Sequence, residues 1–321
     1  MPYFTSSTDG ARLHYVEYRP ARTGPNAPAR FAATSDSTKD FSADDQVTLV
    51  FIHGWPMSHR MYEHLLLRLS ETHGVRCVAS DRRGFGDSEW SGAGGNTGPI
   101  TYDTFAQDTV DFLSTVFQAS SDNHGSFYFV AASMGCGETA LAYHLLGSSP
   151  ALQRRCRGFI WLGASLPLPL KTDANPTAPP RELWDAILQG FRDDRVGFTR
   201  AAIPGVFGET FNIGIELQPT VKKRFESMVE RADALALERC VQIITGTDLT
   251  EVVRRLDGLD VKILVVHGDN DQSMPAESSA CIIPTLATQA QVKIYKNAAH
   301  GLYLTHADQV LEDIFAIVFG K

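Results

Sequence analysis

The sequence predicts an α/β fold, a mostly parallel central sheet with helices on both faces and an inserted helical cap. Three observations predict it. Short strand-like runs recur at 47–53, 75–80, 127–132, 159–162, 263–267 and 292–296, and the largely apolar 47–53 marks a strand buried on both faces. Helical spacing falls between them, as over 104–117, where Phe105, Val110, Phe112, Leu113 and Val116 lie on or near one face. The alternation stops after Pro167 and resumes after Leu249, so the stretch between reads as an insertion into a sheet domain.

Taken in order, 13–18 reads as a strand, with Phe4-Thr5 opening the same hairpin across Asp9-Gly10. The segment 19–45 is rich in Pro, Ala, Ser, Thr and Asp without periodicity, and is expected to be a flexible insert. Met61, Leu65 and Leu69 give 61–72 helical spacing. A helix is also expected over 135–146. The 167–249 stretch holds a Pro-rich segment and three or four helical runs. Trp184, Ile187, Leu188 and Phe191 line one run, and Phe225, Met228 and Val229 belong to another. A helix within 275–288 and a closing helix over 307–319 complete the pattern. The expected organisation is a core of 1–166 with 250–321, and a cap of 167–249.

Composition narrows the function classes. The 321 residues are 43% apolar and 21% charged, which suits a globular protein with a substantial core. The net charge is −8 and no Lys/Arg run appears, so nucleic acid is not an expected partner. Five cysteines, odd in number and without metal-ligand spacing, are expected to be buried free thiols in a reducing compartment. No stretch approaches a membrane span, and Met1-Pro2-Tyr3-Phe4-Thr5 lacks the basic and apolar parts of a secretory signal. The expectation is a soluble cytoplasmic protein with no membrane partner.

Three motifs carry chemistry. Ala131-Ala132-Ser133-Met134-Gly135 lies between an expected strand and helix, where a nucleophile elbow of the form G-x-S-x-G would lie. Small flanking residues are needed because the turn is tight. Taken alone, Ser133 would equally serve as a helix N-cap. The second motif is His267-Gly268-Asp269-Asn270-Asp271, at a late strand end, where an acid can orient a histidine. Asp269 and Asp271 compete for that role. The third is Asn297-Ala298-Ala299-His300-Gly301, on a loop before the last helix. His53, His267 and His306 read as ordinary core or surface histidines. His300 stands where the base of a Ser…Asp…His chain order should stand. Backbone N–H groups of Met134, next to the serine, and of Trp55, in His53-Gly54-Trp55-Pro56, are candidate oxyanion donors.

With these residues in place the chain resembles the α/β-hydrolase superfamily. More closely it is similar to its cofactor-free (non-haem) chloroperoxidases and aryl esterases. The likeness rests on Phe51-Ile52-His53-Gly54-Trp55-Pro56, on Asp81-Arg82-Arg83-Gly84-Phe85-Gly86-Asp87-Ser88, on Ser133-Met134-Gly135 and on Glu138. Leu170-Lys171-Thr172-Asp173-Ala174-Asn175-Pro176, His267-Gly268-Asp269-Asn270-Asp271 and His300-Gly301-Leu302-Tyr303-Leu304-Thr305-His306-Ala307 extend it. The resemblance implies the α/β-hydrolase fold, no cofactor, no metal and a triad of Ser133, His300 and Asp271. It implies an oxyanion hole of Trp55 and Met134, and a structural role for 81–88. Ala131, Ala132 and Cys136 depart from the usual pattern around the serine.

The function expected is hydrolysis of an ester, lactone or similar acyl bond of a small apolar molecule. Perhydrolysis, with hydrogen peroxide in place of water, is a side activity implied by the resemblance. A non-hydrolytic role, as a lyase, a cyclase or a small-molecule binding protein, is the alternative. Trp55, Met134, Leu166, Phe198, Phe207 and Leu302 are candidate pocket residues. Related proteins often self-associate, so a homo-oligomer is an open expectation.

Overall fold

The computed structural model describes residues 2–19, 47–93, 98–118 and 125–320. Apart from Arg19, the insert expected over 19–45 lies outside the described residues. Eight strands form one sheet: β1 (Tyr3–Thr5), β2 (Arg12–Tyr18), β3 (Thr48–Ile52), β4 (Arg76–Ser80), β5 (Phe127–Ala132), β6 (Cys156–Leu162), β7 (Lys262–Gly268) and β8 (Ala290–Tyr295). Their spatial order is β1-β2-β4-β3-β5-β6-β7-β8. From β4 to β8 every pairing is parallel, while β1 and β2 join antiparallel at one edge. All of β3 and β5 is buried, which is why these strands are apolar without alternation.

The helices between the strands are α1 (Glu63–Leu67), α2 (Tyr102–Gln118), α3 (Met134–Leu145) and α4 (Pro150–Gln153). The helix expected over 61–72 is not uniform. A 3₁₀ turn at His59–Tyr62 leads into α1, and a π turn at Arg68–Thr72 ends it. Met61, Leu65, Leu66 and Leu69 are buried throughout, so the apolar face survives the change of pitch. After β6 the chain leaves the sheet for the inserted helical cap. Its main helices are α5 (Arg181–Phe207), α6 (Pro219–Glu230) and α7 (Ala234–Gly246). Trp184 and Leu188 of α5 are buried, as are Phe225, Met228 and Val229 of α6. The short α8 (Thr250–Arg254) returns the chain to β7. The sequence then runs through α9 (Ile283–Leu286), α10 (Leu302–Thr305) and α11 (Ala307–Phe319). No described helix is long and apolar enough to cross a membrane.

All five cysteines are free, and four are buried as expected. Cys281 is the exception. It is exposed, on the turn before α9, where its side chain points away from the core.

Candidate active site

The parallel strands bring Ser133, Ser165, Asp271 and His300 to one edge of the sheet, since each follows the C-terminal end of a strand. Ser133 joins β5 to α3 with φ +51° and ψ −120°. A non-glycine residue there is strained and must be held by its surroundings. Its N–H donates to the Leu162 carbonyl at 3.0 Å. A Cβ on Gly135 would stand 2.7 Å from the Ile52 carbonyl oxygen, so α3 starts too close to β3 for any side chain. A Cβ on Gly54 would stand 3.2 Å from the Ser133 Cβ. Although Ser133 precedes α3, its side chain makes no capping hydrogen bond. Ala131, Ala132 and Cys136 are all buried in the core. The Cys136 thiol donates to the Ala131 carbonyl, and burial pushes its pKa well up, so it stays a neutral thiol.

Asp271 follows β7 and its side chain is fully buried. Its Oδ1 accepts from the N–H groups of Ser273 (2.9 Å) and Met274 (2.8 Å). Its Oδ2 lies 2.7 Å from His300 Nδ1. Burial works against the carboxylate charge, but the two neighbouring histidines and the hydrogen bonds hold its pKa well below the usual range. Burial likewise opposes protonation of His300. The Asp271 charge and hydrogen bond outweigh it, and the imidazole pKa is raised. With Nδ1–H directed at Asp271, Nε2 is the basic nitrogen. Asp269 accepts from the Ala298 N–H at 3.2 Å, which ties the loop carrying Asp271 to the loop carrying His300.

Met134 N opens α3, where the first amides have no intrahelical acceptor. Trp55 starts the turn after β3, and the His53 side chain fixes that turn. His53 Nδ1–H donates to the Gly54 carbonyl at 2.9 Å, and its Nε2 accepts from the Arg82 N–H at 2.8 Å. Burial depresses the His53 pKa to about 3, so the ring is neutral and structural. The 81–88 loop is equally structural. Asp81 accepts from His14 Nδ1–H and His59 Nδ1–H, both at 2.8 Å, and Arg82 pairs with Glu138 at 2.6 Å.

The candidate pocket residues separate into two groups. Half-buried Trp55 meets the cap, with its ring edge-to-face against Trp184 (6.4 Å) and Phe191 (5.5 Å). Phe198 is half-buried and packs on Phe191 at 5.0 Å. Met134, Leu166, Phe207 and Leu302 are buried members of the core. Phe207 packs against Phe225 and Tyr303, and a Cβ on Gly301 would strike its ring.

Two close neighbours lie outside the sequence expectations. Ser165 Oγ is 2.9 Å from Ser133 Oγ. Its place just past the end of β6, at the edge where ligands bind in parallel sheets, was the signal that could have found it. His267, expected to be an ordinary core histidine, is fully buried and donates from Nε2 to the Met274 carbonyl at 2.7 Å. The same nitrogen is 3.3 Å from Asp271 Oδ2, so His267 helps hold that carboxylate in place.

A family profile described as "Alpha/beta hydrolase family" matches residues 49–313. Non-heme chloroperoxidase CPO-A1 of Kitasatospora aureofaciens is 30% identical over 263 residues, covering 81% of this chain and 87% of the relative. Bifunctional esterase/perhydrolase DCH of Acinetobacter calcoaceticus is 27% identical over 286 residues, covering 87% of this chain and 94% of the relative. Among solved structures, bromoperoxidase from Bacillus anthracis superposes with a TM-score of 0.76 at 22% identity, covering 100% of this chain and 99% of that one.

Proposed function

Because this chain belongs to the alpha/beta hydrolase family, we propose that it is a serine hydrolase that cleaves an ester, lactone or similar acyl bond of a small apolar molecule. The observation that carries the proposal is the 2.7 Å contact between His300 Nδ1 and the buried carboxylate of Asp271. It accompanies a serine held at positive φ on the same sheet edge.

The roles follow from the chemistry of each group. Ser133 Oγ attacks the substrate carbonyl carbon while His300 Nε2 takes the hydroxyl proton. The Asp271 charge stabilises the imidazolium. The N–H groups of Met134 and Trp55 donate to the oxyanion. The tetrahedral intermediate expels the alcohol, which takes the proton from His300, and an acyl-enzyme remains. Water then attacks with His300 again as base, and the acid leaves. The aromatic wall of Trp55, Trp184 and Phe191 supports an apolar acyl group. Hydrogen peroxide in place of water would yield a peracid, and the esterase/perhydrolase relative supports that as a side reaction. In this reading residues 1–166 and 250–321 form the catalytic core, and 167–249 close over it.

The test is a panel of esters, lactones and thioesters with wild type and Ser133→Ala. The variant should lose several orders of magnitude in kcat, roughly 10³-fold or more. A fluorophosphonate should label wild type at Ser133. Full turnover by the variant, or no labelling of wild type, would overturn the proposal.

A further inference from the structure

We propose that Ser165 is a further catalytic residue, whose hydroxyl donates to Ser133 Oγ as that oxygen departs during deacylation. The inference rests on the serine-hydrolase reading above. Ser165 Oγ stands 2.9 Å from Ser133 Oγ, and the Ser165 N–H points to the Ser133 carbonyl at 3.4 Å. Ser165 itself is buried, 7% exposed, beside the half-buried Ser133. Ser279, a buried serine on the neighbouring acid-side segment, donates to a backbone carbonyl, that of Ala164, at 2.6 Å. The Ser165 hydroxyl hydrogen-bonds the Ser133 hydroxyl instead.

Its position in the sheet decides what it can do. The oxyanion donors approach Ser133 from the β3 side, through Gly54 and Trp55, and from α3. Ser165 approaches from the β6 side, where β6 neighbours β7 and its acid loop. A Cβ on Gly163, two residues earlier, would stand 3.2 Å from His300 Nδ1. Ser165 therefore lies on the side of the base, away from the oxyanion. During acylation Ser133 Oγ gives up electron density as its bond to carbon forms, so a donor to that oxygen stabilises the ground state more than the transition state. During deacylation the change is reversed. The acyl carbon–Oγ bond breaks, the electron pair goes to Oγ, and the proton arrives from His300 Nε2. Ser165 keeps its own proton throughout and stabilises the charge growing on Oγ. An interaction stronger in the transition state than in the ground state accelerates that step alone.

The experiment uses 4-nitrophenyl acetate with Ser165→Ala and Ser165→Thr. In Ser165→Ala, nitrophenol should appear as a burst near one equivalent, followed by turnover about tenfold slower than wild type. The acetyl adduct on Ser133 should accumulate by mass spectrometry. The rate of fluorophosphonate labelling should stay within about twofold of wild type, a change too small to mark a lost transition-state contact. Ser165→Thr keeps the hydroxyl and should show neither burst nor adduct. Labelling and turnover falling in parallel in Ser165→Ala, or a burst in Ser165→Thr equal to that of Ser165→Ala, would overturn the proposal. So would wild-type kinetics in Ser165→Ala. Failure of the underlying serine-hydrolase reading looks different, because wild type itself would then resist fluorophosphonate.

Discussion

His300 and Asp271 make the acid–base behaviour of the site calculable in sign. In the proposed mechanism His300 acts as base only when neutral, and its pKa is raised above the usual imidazole value of about 6.5. The acidic limb of kcat/KM should therefore lie above about pH 6.5. Asp271→Asn removes the charge that raises it and leaves burial, which lowers it. The limb should move down in pH, and kcat should fall by about 10⁴-fold as the imidazole loses its orienting acceptor. A pH–rate profile checks both. An unmoved limb would show that another group sets it. The same pair affects stability with opposite signs. The depressed Asp271 contributes stability above its unfolded pKa, and this is lost as pH falls through the folded value. The raised His300 contributes stability below its unfolded pKa, and this is lost as pH rises through the folded value.

Elements are joined where the site needs them joined. The end of α5 and the turn after it are clasped to the loops that carry Asp271 and His300. Gly301 N–H donates to the Val206 carbonyl at 2.9 Å, and Asn270 Nδ2 donates to Asn212 Oδ1 at 2.7 Å. Asn297, at φ +59°, donates from Nδ2 to the Ile213 carbonyl (2.7 Å) and accepts the Ile213 N–H at Oδ1 (3.0 Å). Asn175 ties the start of the cap to the loop after Asp271 by donating to the Ser278 carbonyl at 2.9 Å. The cap is thus bonded to the loops that carry Asp271 and His300. Asn297→Ala removes both bonds to Ile213 and places an unsuited side chain at positive φ. Stability should fall by about 1–3 kcal/mol in chemical denaturation. Turnover should fall several-fold because the His300 loop loses its anchor. Unchanged kcat/KM would separate the clasp from the base.

At the scale of the molecule, the antiparallel edge is secured by a buried charge. Arg83 is fully buried and bonds both Asp9, in the β1–β2 turn, and Asp108 of α2. It also donates to Ser6 Oγ and Thr8 Oγ1, at 2.6 and 2.8 Å. Removing one member of such a network strands the others without solvent. Arg83→Met should lower unfolding stability by about 3–5 kcal/mol, read from the denaturant midpoint, while a fluorophosphonate still labels Ser133 in the folded fraction. The sequence placed Arg83 only within a family-like loop. Its partners lie 74 and 25 residues away, and no local pattern could pair them.

The sequence by itself determined the alternation of strands and helices, because strands buried on both faces must be apolar and covering helices amphipathic. β5 and α11 fall where their patterns begin and end. It also determined the order of Ser133, Asp271 and His300, since each sits at a strand end marked by small residues. Tertiary structure alone decided which strands are neighbours. Setting β6 beside β5 brings Ser165 to Ser133, and a buried turn brings His267 to Asp271. The physical reason is range. Periodicity and turn chemistry act over a few residues, whereas hydrogen bonds between loops depend on the packed sheet that carries them.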